Sequence, residues 1–384
     1  MIIPYGKQFL DELDYKSVLE ALKSDWLTTG PLVEKFENLL AQIVGAPTIC
    51  VSSGTAALHC AYAAIELESG DEIITPPITF IGTQATAYQM GAKIVFADVQ
   101  EDTGNIDPKS VERLVTPRTK AIVAVDYAGH PADLFELRAI ADKYQVYLIE
   151  DAAHSLGSKY HDVSVGGIAD ITTFSFFPTK NITTAEGGAV ASKNSDLLER
   201  ARKFSRQGLI REEKNFKIKS EGPWHQEVHN FGLNYRLPDV LCALGISQLE
   251  KMPSFKRQRN EIFYNYSKNI IDNENLKLPV CRSYVEPMWH LYPVRVKPIH
   301  RRFVFEKMRE NNINVQVNYL PVYWHPVFER LGFKRGLCPV AENFYLSEIS
   351  IPIYAGLELE NQNRIIECLN EIIISISDLD NSDS

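Results

Sequence analysis

The chain has 384 residues, is 45% hydrophobic and 23% charged, and carries a formal net charge of −9, a globular composition long enough for a large domain and a smaller one. No arginine-rich run or nucleic-acid motif is present, which argues against a nucleic-acid partner, and six scattered cysteines without a C-x-x-C pair fit reduced cytoplasmic thiols better than a disulfide frame or a metal site. The first residues have no long apolar stretch and no window reaches 18 uninterrupted apolar residues, so neither a signal peptide nor a membrane span is expected.

In chain order, residues 11–24 carry Leu13, Val18, Leu19 and Leu22 on one helical face. Trp26-Leu27-Thr28-Thr29-Gly30 breaks that pattern, and Pro31 opens a second amphipathic helix with Val33, Phe36, Leu39, Leu40 and Ile43. Ile49-Cys50-Val51 reads as a strand running into Ser52-Ser53-Gly54-Thr55 and an alanine-rich helix to Leu67. A strand, a small-residue turn and a helix start make an anion-binding geometry, because free N–H groups and the helix dipole converge there. Plain capping by Ser53 or Thr55 uses the same residues. No P-loop lysine and no G-x-G-x-x-G follow a strand.

Strands are expected at 72–75, 93–98, 120–125 and 146–149, with helices at 82–90, 108–114 and 132–144 between them. That alternation predicts an α/β fold with a mainly parallel sheet covered by helices, whose ligands gather at the carboxyl ends of the strands. Asp151 and His154 follow the 146–149 strand, and Phe80 follows the 72–75 strand. Asp151 could cap a helix or pair with an arginine; it could also face a pyridinium nitrogen and keep it protonated. Phe80 could be a core residue or stack on a ring.

The stretch Phe174-Ser175-Phe176-Phe177-Pro178-Thr179-Lys180 is followed by Glu186-Gly187-Gly188. It puts one lysine in a turn between two strand-like runs, where desolvation lowers the pKa of an amine and makes it a nucleophile for an aldehyde. Beyond it, helices are expected over 196–206, from Pro238 to Met252 and over 255–271, with a polar loop over 208–230. The remainder reads as α+β: strands at 289–296 and 313–317, helices at 301–311, 339–347 and 359–375. The expected division is a large domain over 1–249 and a small C-terminal domain over 250–384. A phosphate cradle at 52–55, an acid at Asp151, an aromatic at Phe80 and a lysine at Lys180 together match the needs of pyridoxal 5′-phosphate.

On these motifs the chain resembles the DegT/DnrJ/StrS family of nucleotide-sugar aminotransferases, from Leu27-Thr28-Thr29-Gly30 to Ile349-Ser350-Ile351-Pro352. The carrying motifs are Ser53-Gly54-Thr55-Ala56-Ala57-Leu58, Glu150-Asp151-Ala152-Ala153-His154, and Ser175-Phe176 with Lys180 ahead of Glu186-Gly187-Gly188. The resemblance implies the fold type I, aspartate aminotransferase-like architecture, with Lys180 as Schiff-base lysine and proton shuttle, Asp151 on the pyridine nitrogen and His154 beside the ring. It further implies that Gly54, Thr55 and Ser175 hold the phosphate, and that Asn234 reaches the cofactor phosphate of the other subunit in a homodimer. Thr183-Thr184-Ala185 and Val315-Gln316-Val317-Asn318-Tyr319 are similar to the members that transfer an amino group from L-glutamate to C4 of a UDP-linked 4-keto-6-deoxy-N-acetyl-hexosamine in pseudaminic acid synthesis. By that likeness Tyr5, Leu27, Thr28, Thr29, Gly30, Gln316, Val317, Asn318 and Tyr319 line the sugar-nucleotide site. Those members carry His-Tyr where this chain has Asn318-Tyr319; asparagine hydrogen-bonds but has no imidazolium charge. Perosamine, 4-amino-arabinose and legionaminic-type 4-keto sugars are the alternative substrates, and a non-catalytic PLP-binding regulator is the alternative class. The related sugar 3-dehydratases replace the lysine with histidine, whereas Lys180 is present.

Overall fold

The computed structural model describes residues 2–382. A seven-stranded sheet stands in the order 48–51, 188–191, 171–175, 147–151, 119–125, 72–75, 93–96. The strand Gly188–Ala191 runs antiparallel to both neighbours, and the pairs from 171–175 to 93–96 are parallel. The expected mainly parallel mixed sheet is therefore present. Ala121, Ile122, Val123, Leu148 and Ile149 are fully buried, as strands covered on both faces require, and this is why they read as unbroken apolar runs.

Helix Gly54–Ala64 lays Ala57, Ala61 and Tyr62 against one face of the sheet, around Ile73 and Val123. On the other face Phe36 and Leu40 of helix Pro31–Val44 pack on Phe174, Phe176 and Ala189. Full burial of Phe36 and Leu40 is worth roughly 1.5–3 kcal/mol each. Helix Asp239–Asn269 crosses the Pro31–Val44 helix at Gly245, where an added Cβ would lie 2.5 Å from the Phe36 ring. A larger residue there would drive the two helices apart.

Two helices were expected around Pro253; there is one, Asp239–Asn269, with Pro253 inside it. Proline removes one amide donor and crowds the preceding turn. Pro253 itself is exposed, and Met252 and Phe255 on either side of it anchor the helix's buried face. The expected division between 249 and 250 falls inside this helix. Residues to Phe255 pack with the large sheet, and Ile262, Phe263 and Tyr266 pack with the C-terminal core.

That core surrounds a three-stranded antiparallel sheet of Leu276–Lys277, Tyr292–Val296 and Glu348–Ile351, with helices Pro298–Glu310 and Leu359–Ser382 against it. The strand expected over 313–317 is replaced by two isolated bridges, Ile313 to Ile3 and Gln316 to Ser350. The first is parallel and the second antiparallel, on different neighbours, so no ladder propagates. The bridge at Ile3, supported by Asn314 N–H to the Ile3 carbonyl at 2.9 Å, ties the N-terminal segment to the C-terminal region and sets Tyr5 beside 316–319. The loop expected over 208–230 contains a short hairpin, Leu209–Ile210 with Glu227–Val228. No helix among the described residues is long and apolar enough to cross a membrane.

Candidate active site

A cavity of about 480 Å³ opens at the carboxyl ends of the central strands. Tyr5, Gly54, Thr55, Phe80, Asp151, His154, Ser175, Lys180, Gln316, Asn318 and Tyr319 all line it.

Lys180 sits in the loop after strand Ile171–Ser175. Phe176 fastens that loop: its N–H donates to Gly187 at 2.8 Å, and its carbonyl accepts from Thr183 and Thr184, both at 3.0 Å. The next residue, Asn181, donates through Nδ2 to the carbonyls of His154, Leu156 and Met288 at 3.0–3.2 Å. The backbone around Lys180 is thus fixed from both sides. Its Nζ has no hydrogen-bond or ion-pair partner among the described residues. Burial pulls its pKa from 10.5 down to about 8, with Asp151 opposing. An amine titrating there is reactive near neutral pH.

Asp151 ends strand Tyr147–Asp151. It accepts from Thr83 Oγ1 at 2.8 Å and from the Ala153 N–H at 3.2 Å. Burial raises its pKa, and Thr83, Ala153 and Lys180 lower it. Facing these groups, Ser53 Oγ caps helix Gly54–Ala64 by accepting from Ala56 N–H at 3.0 Å. The amides of Gly54 and Thr55, at its first two positions, have no intrahelical acceptor. A Cβ on Gly54 would lie 2.8 Å from Ser175 Cβ, and one on Gly188 would lie 2.5 Å from the Ser53 carbonyl. The two glycines let the turn close onto strands 171–175 and 188–191. Phe80 is 63% exposed with the cavity in front of it, leaving its ring free to stack.

His154 Nε2 bonds Tyr319 Oη at 3.2 Å, and its ring lies 4.3 Å from that of His290. Burial, then the Lys180 charge, pushes the His154 pKa well down. Burial, His154 and Lys180 do the same to His290. Both imidazoles are therefore neutral. Asn318 is bound to Tyr5 Oη and, at 3.3 Å, to Ser350 Oγ.

Val317 lies between Gln316 and Asn318 without lining the cavity. Leu27, Thr28, Thr29 and Gly30 lie outside it. Gly30 and Leu32 donate to buried Asp239 at 2.8 and 3.0 Å, which fixes this turn as the start of helix Pro31–Val44. Thr28 and Thr29 wall a separate cleft of about 610 Å³ with Arg202, Arg206, Arg211 and Arg236. Arg202 pairs with Glu37 at 3.2 Å; the other three have no carboxylate partner among the described residues. Asn234 is exposed and bridges to Arg206 through its backbone, away from the cavity. Sequence reasoning missed Thr83, His290 and the buried Glu348 behind Asn318. Thr83 reads as one small residue of a helix. His290 adjoins an alternating strand pattern that gives no hint of the distant His154.

These groups fit pyridoxal 5′-phosphate. Free helix amides and a cradle that a Cβ would fill suit the phosphate, an exposed aromatic suits the ring face, a buried carboxylate suits the ring nitrogen, and an unpartnered amine suits the aldehyde.

Comparison with known proteins agrees. Residues 8–370 match the DegT/DnrJ/EryC1/StrS aminotransferase family. The UDP-4-amino-4,6-dideoxy-N-acetyl-beta-L-altrosamine transaminase of Campylobacter jejuni is 36% identical over 379 residues, 97% of this chain and 98% of that one. Helicobacter pylori PseC, an aminotransferase involved in the biosynthesis of pseudoaminic acid, superposes with a TM-score of 0.91 at 34% identity, covering 98% of this chain and all of that one. Spr1654 of Streptococcus pneumoniae in its PMP form gives a TM-score of 0.92 at 28% identity, covering 97% of this chain and all of that one. The chain belongs to the DegT/DnrJ/EryC1/StrS aminotransferase family and is a PLP-dependent sugar aminotransferase of fold type I.

Proposed function

We propose that this aminotransferase moves the amino group of L-glutamate to C4 of a UDP-linked 4-keto-6-deoxy-N-acetyl-hexosamine, on a cytoplasmic route to pseudaminic acid-like surface sugars. The observation that carries the chemistry is the unpartnered, desolvated amine of Lys180 in one cavity with Asp151. The named activity of the Campylobacter relative and the role of PseC support the sugar.

Bound pyridoxal phosphate supplies the electron sink that makes the α-proton of an amino acid acidic. Gly54, Thr55 and Ser175 would hold its phosphate, Phe80 would cover its ring, and Asp151, fixed by Thr83, would keep the ring nitrogen protonated. The Lys180 amine would take the α-proton of glutamate, and in the second half-reaction would return a proton to the sugar carbon. Neutral His154, tied to Tyr319, lies beside the ring as a hydrogen-bonding group without charge. Tyr5, Gln316, Asn318 and Tyr319 close the side on which the sugar sits.

The active unit in this reading is a homodimer. Asn234 reaches the partner's cofactor phosphate, and the 27–30 turn with Arg206, Arg211 and Arg236 faces the diphosphate of the partner's sugar nucleotide, where guanidinium forks bind best. Trp26, Leu27, Phe177, Trp224 and Phe231 are exposed apolar residues that a second copy would cover.

Absorbance of the purified enzyme tests the reading. L-Glutamate should convert the cofactor to its pyridoxamine form, and the UDP-4-keto-L-altrosamine-type sugar should restore the starting spectrum. Restoration by a different nucleotide sugar alone would move the enzyme to a perosamine, 4-amino-arabinose or legionaminic-type route. No conversion by glutamate in cofactor-loaded protein would overturn the donor.

A further inference from the structure

Asn318 is 6% exposed, lines the cavity, and has an amide that is only half used. Nδ2 donates to Tyr5 Oη and to Ser350 Oγ at 3.3 Å. Oδ1 has no partner among the described residues. The backbone is fixed as well: Asn318 N–H donates to Glu348 Oε2 at 2.7 Å, and its carbonyl accepts from Tyr127 Oη at 2.6 Å. Behind it, Ser350 Oγ donates to Glu348 Oε1. A serine whose proton points at a carboxylate offers only lone pairs on its other side, so the amide must turn its N–H toward it.

We propose that Asn318 is a specificity-determining residue that presents its carbonyl oxygen to a hydrogen-bond donor on the keto-sugar, a ring hydroxyl or an acetamido N–H. Ser350 and Glu348 are positioning residues that hold the amide in that sense. This rests on the proposed nucleotide-sugar substrate. An unpaired acceptor at a cavity wall discriminates against a ligand that lacks the donor, because the desolvated oxygen is then left unsatisfied.

The hydrogen-bond chain has a polarity that Glu348 sets. Tyr5, Tyr127, Tyr319 and Arg301 face it, from the N-terminal segment, the 127–129 turn, the 316–319 segment and helix Pro298–Glu310. Burial pushes its carboxyl up to about 8. Below that pH its own O–H donates to Ser350, the serine's proton is freed, and only the bond to Tyr5 still holds the amide with Oδ1 toward the cavity. Discrimination therefore grows as pH rises through Glu348's titration.

The test compares kcat/KM for the UDP-4-keto-sugar with that for two analogues, one lacking the C3 hydroxyl and one lacking the C2 acetamido group. Lys180 acts on every substrate, so its titration cancels in the ratio. At pH 9 the intact sugar should be preferred over one analogue by about tenfold, and the preference should shrink at pH 7. Asn318→Ala should bring the pH 9 ratio close to one. Ser350→Ala, outside the cavity, should also reduce it while leaving the glutamate half-reaction intact. Equal kcat/KM for all three sugars at pH 9, or an undiminished ratio in Asn318→Ala, would overturn the proposal. The glutamate half-reaction, read separately by absorbance, reports on the enzyme's class independently of that ratio.

Discussion

Replacing Lys180 by methionine tests whether the reactivity of this lysine is stored as instability. Methionine keeps the length and apolar stem of lysine and removes the charge. In the folded chain the Lys180 pKa falls from 10.5 to about 8, so the ammonium is disfavoured by about 2.5 units, or ~3 kcal/mol. The sign follows from proton counting. Between about pH 8 and 10.5 the unfolded chain holds a proton on this side chain that the folded chain has lost. Folding stability therefore rises with pH across that window, the penalty being complete below it and absent above it. Urea unfolding of cofactor-free protein should find Lys180→Met more stable than the parent by up to ~3 kcal/mol at pH 7. The advantage should fade as pH approaches 10.5, because by then the parent lysine is neutral in both states. The variant should fail to convert glutamate at any pH. A difference that stayed constant from pH 7 to 10.5 would refute the reasoning, since methionine's apolarity would then be the whole effect.

Other substitutions probe the parts around that lysine. Gly54→Ala puts a methyl 2.8 Å from Ser175 Cβ; overpacking of this kind costs about 1–3 kcal/mol, and equilibrium dialysis should find cofactor affinity reduced at least tenfold in a folded protein. Thr83→Val removes the hydroxyl that donates to Asp151 at 2.8 Å. Losing a bond to a buried carboxylate costs about 1–3 kcal/mol, so glutamate conversion followed by stopped-flow absorbance should slow by tenfold or more. Asp239→Ala frees the amides of Gly30 and Leu32 and should lower stability by about 1 kcal/mol, as loss of a helix cap does. It should also raise KM for the nucleotide sugar while leaving glutamate conversion unchanged, because the 27–30 turn lies outside the Lys180 cavity; an unchanged KM would separate that turn from the nucleotide.

How much of the site the sequence disclosed follows from where its parts lie along the chain. Lys180, Asp151 and the 53–55 turn are each set by their own strand and the few residues after it, so an apolar run ending in a small, acidic or basic residue is enough to expose them. The parallel sheet was legible for the same reason, its strands being buried on both faces. Tyr5 and Asn318 are different. They meet because Ile3 bridges to Ile313, a pairing of single residues that leaves no periodic trace, and only family resemblance pointed to them. His290 reaches His154 through a segment clamped by Asn181, and nothing local to Trp289-His290-Leu291 announces it. The long helix around Pro253 was misread because proline's local preference was weighed without the packing on either side that overrides it.

Leu27 to Gly30 mark a further kind of limit. Resemblance assigns them to the sugar nucleotide, yet in one copy all four lie outside the cavity of Lys180, and Thr28 and Thr29 wall the arginine-lined cleft instead. Among the described residues no arginine lines the cavity, although the substrate proposed for it brings a diphosphate and the cofactor brings a phosphate. Helix amides can hold the cofactor's phosphate; they are already committed and cannot also hold two more. Arg206, Arg211 and Arg236 are held together without carboxylate partners among the described residues, and Arg206 is less basic than usual because of burial and the nearby Arg202. Glu199 and Glu212 share the cleft wall, and Glu37 and Glu199 offset part of the repulsion at Arg206, but no carboxylate among the described residues occupies the guanidinium donors of these three, which stay open to an anion. One copy of the chain thus carries a reactive lysine without guanidiniums beside it, and a guanidinium cluster without the lysine. A homodimer that faces each cleft onto the partner's cavity would resolve both deficits together. Arg236→Ala should then weaken binding of the UDP-sugar and leave the rate with glutamate untouched, whereas an equal loss in both half-reactions would place Arg236 in the cofactor site instead.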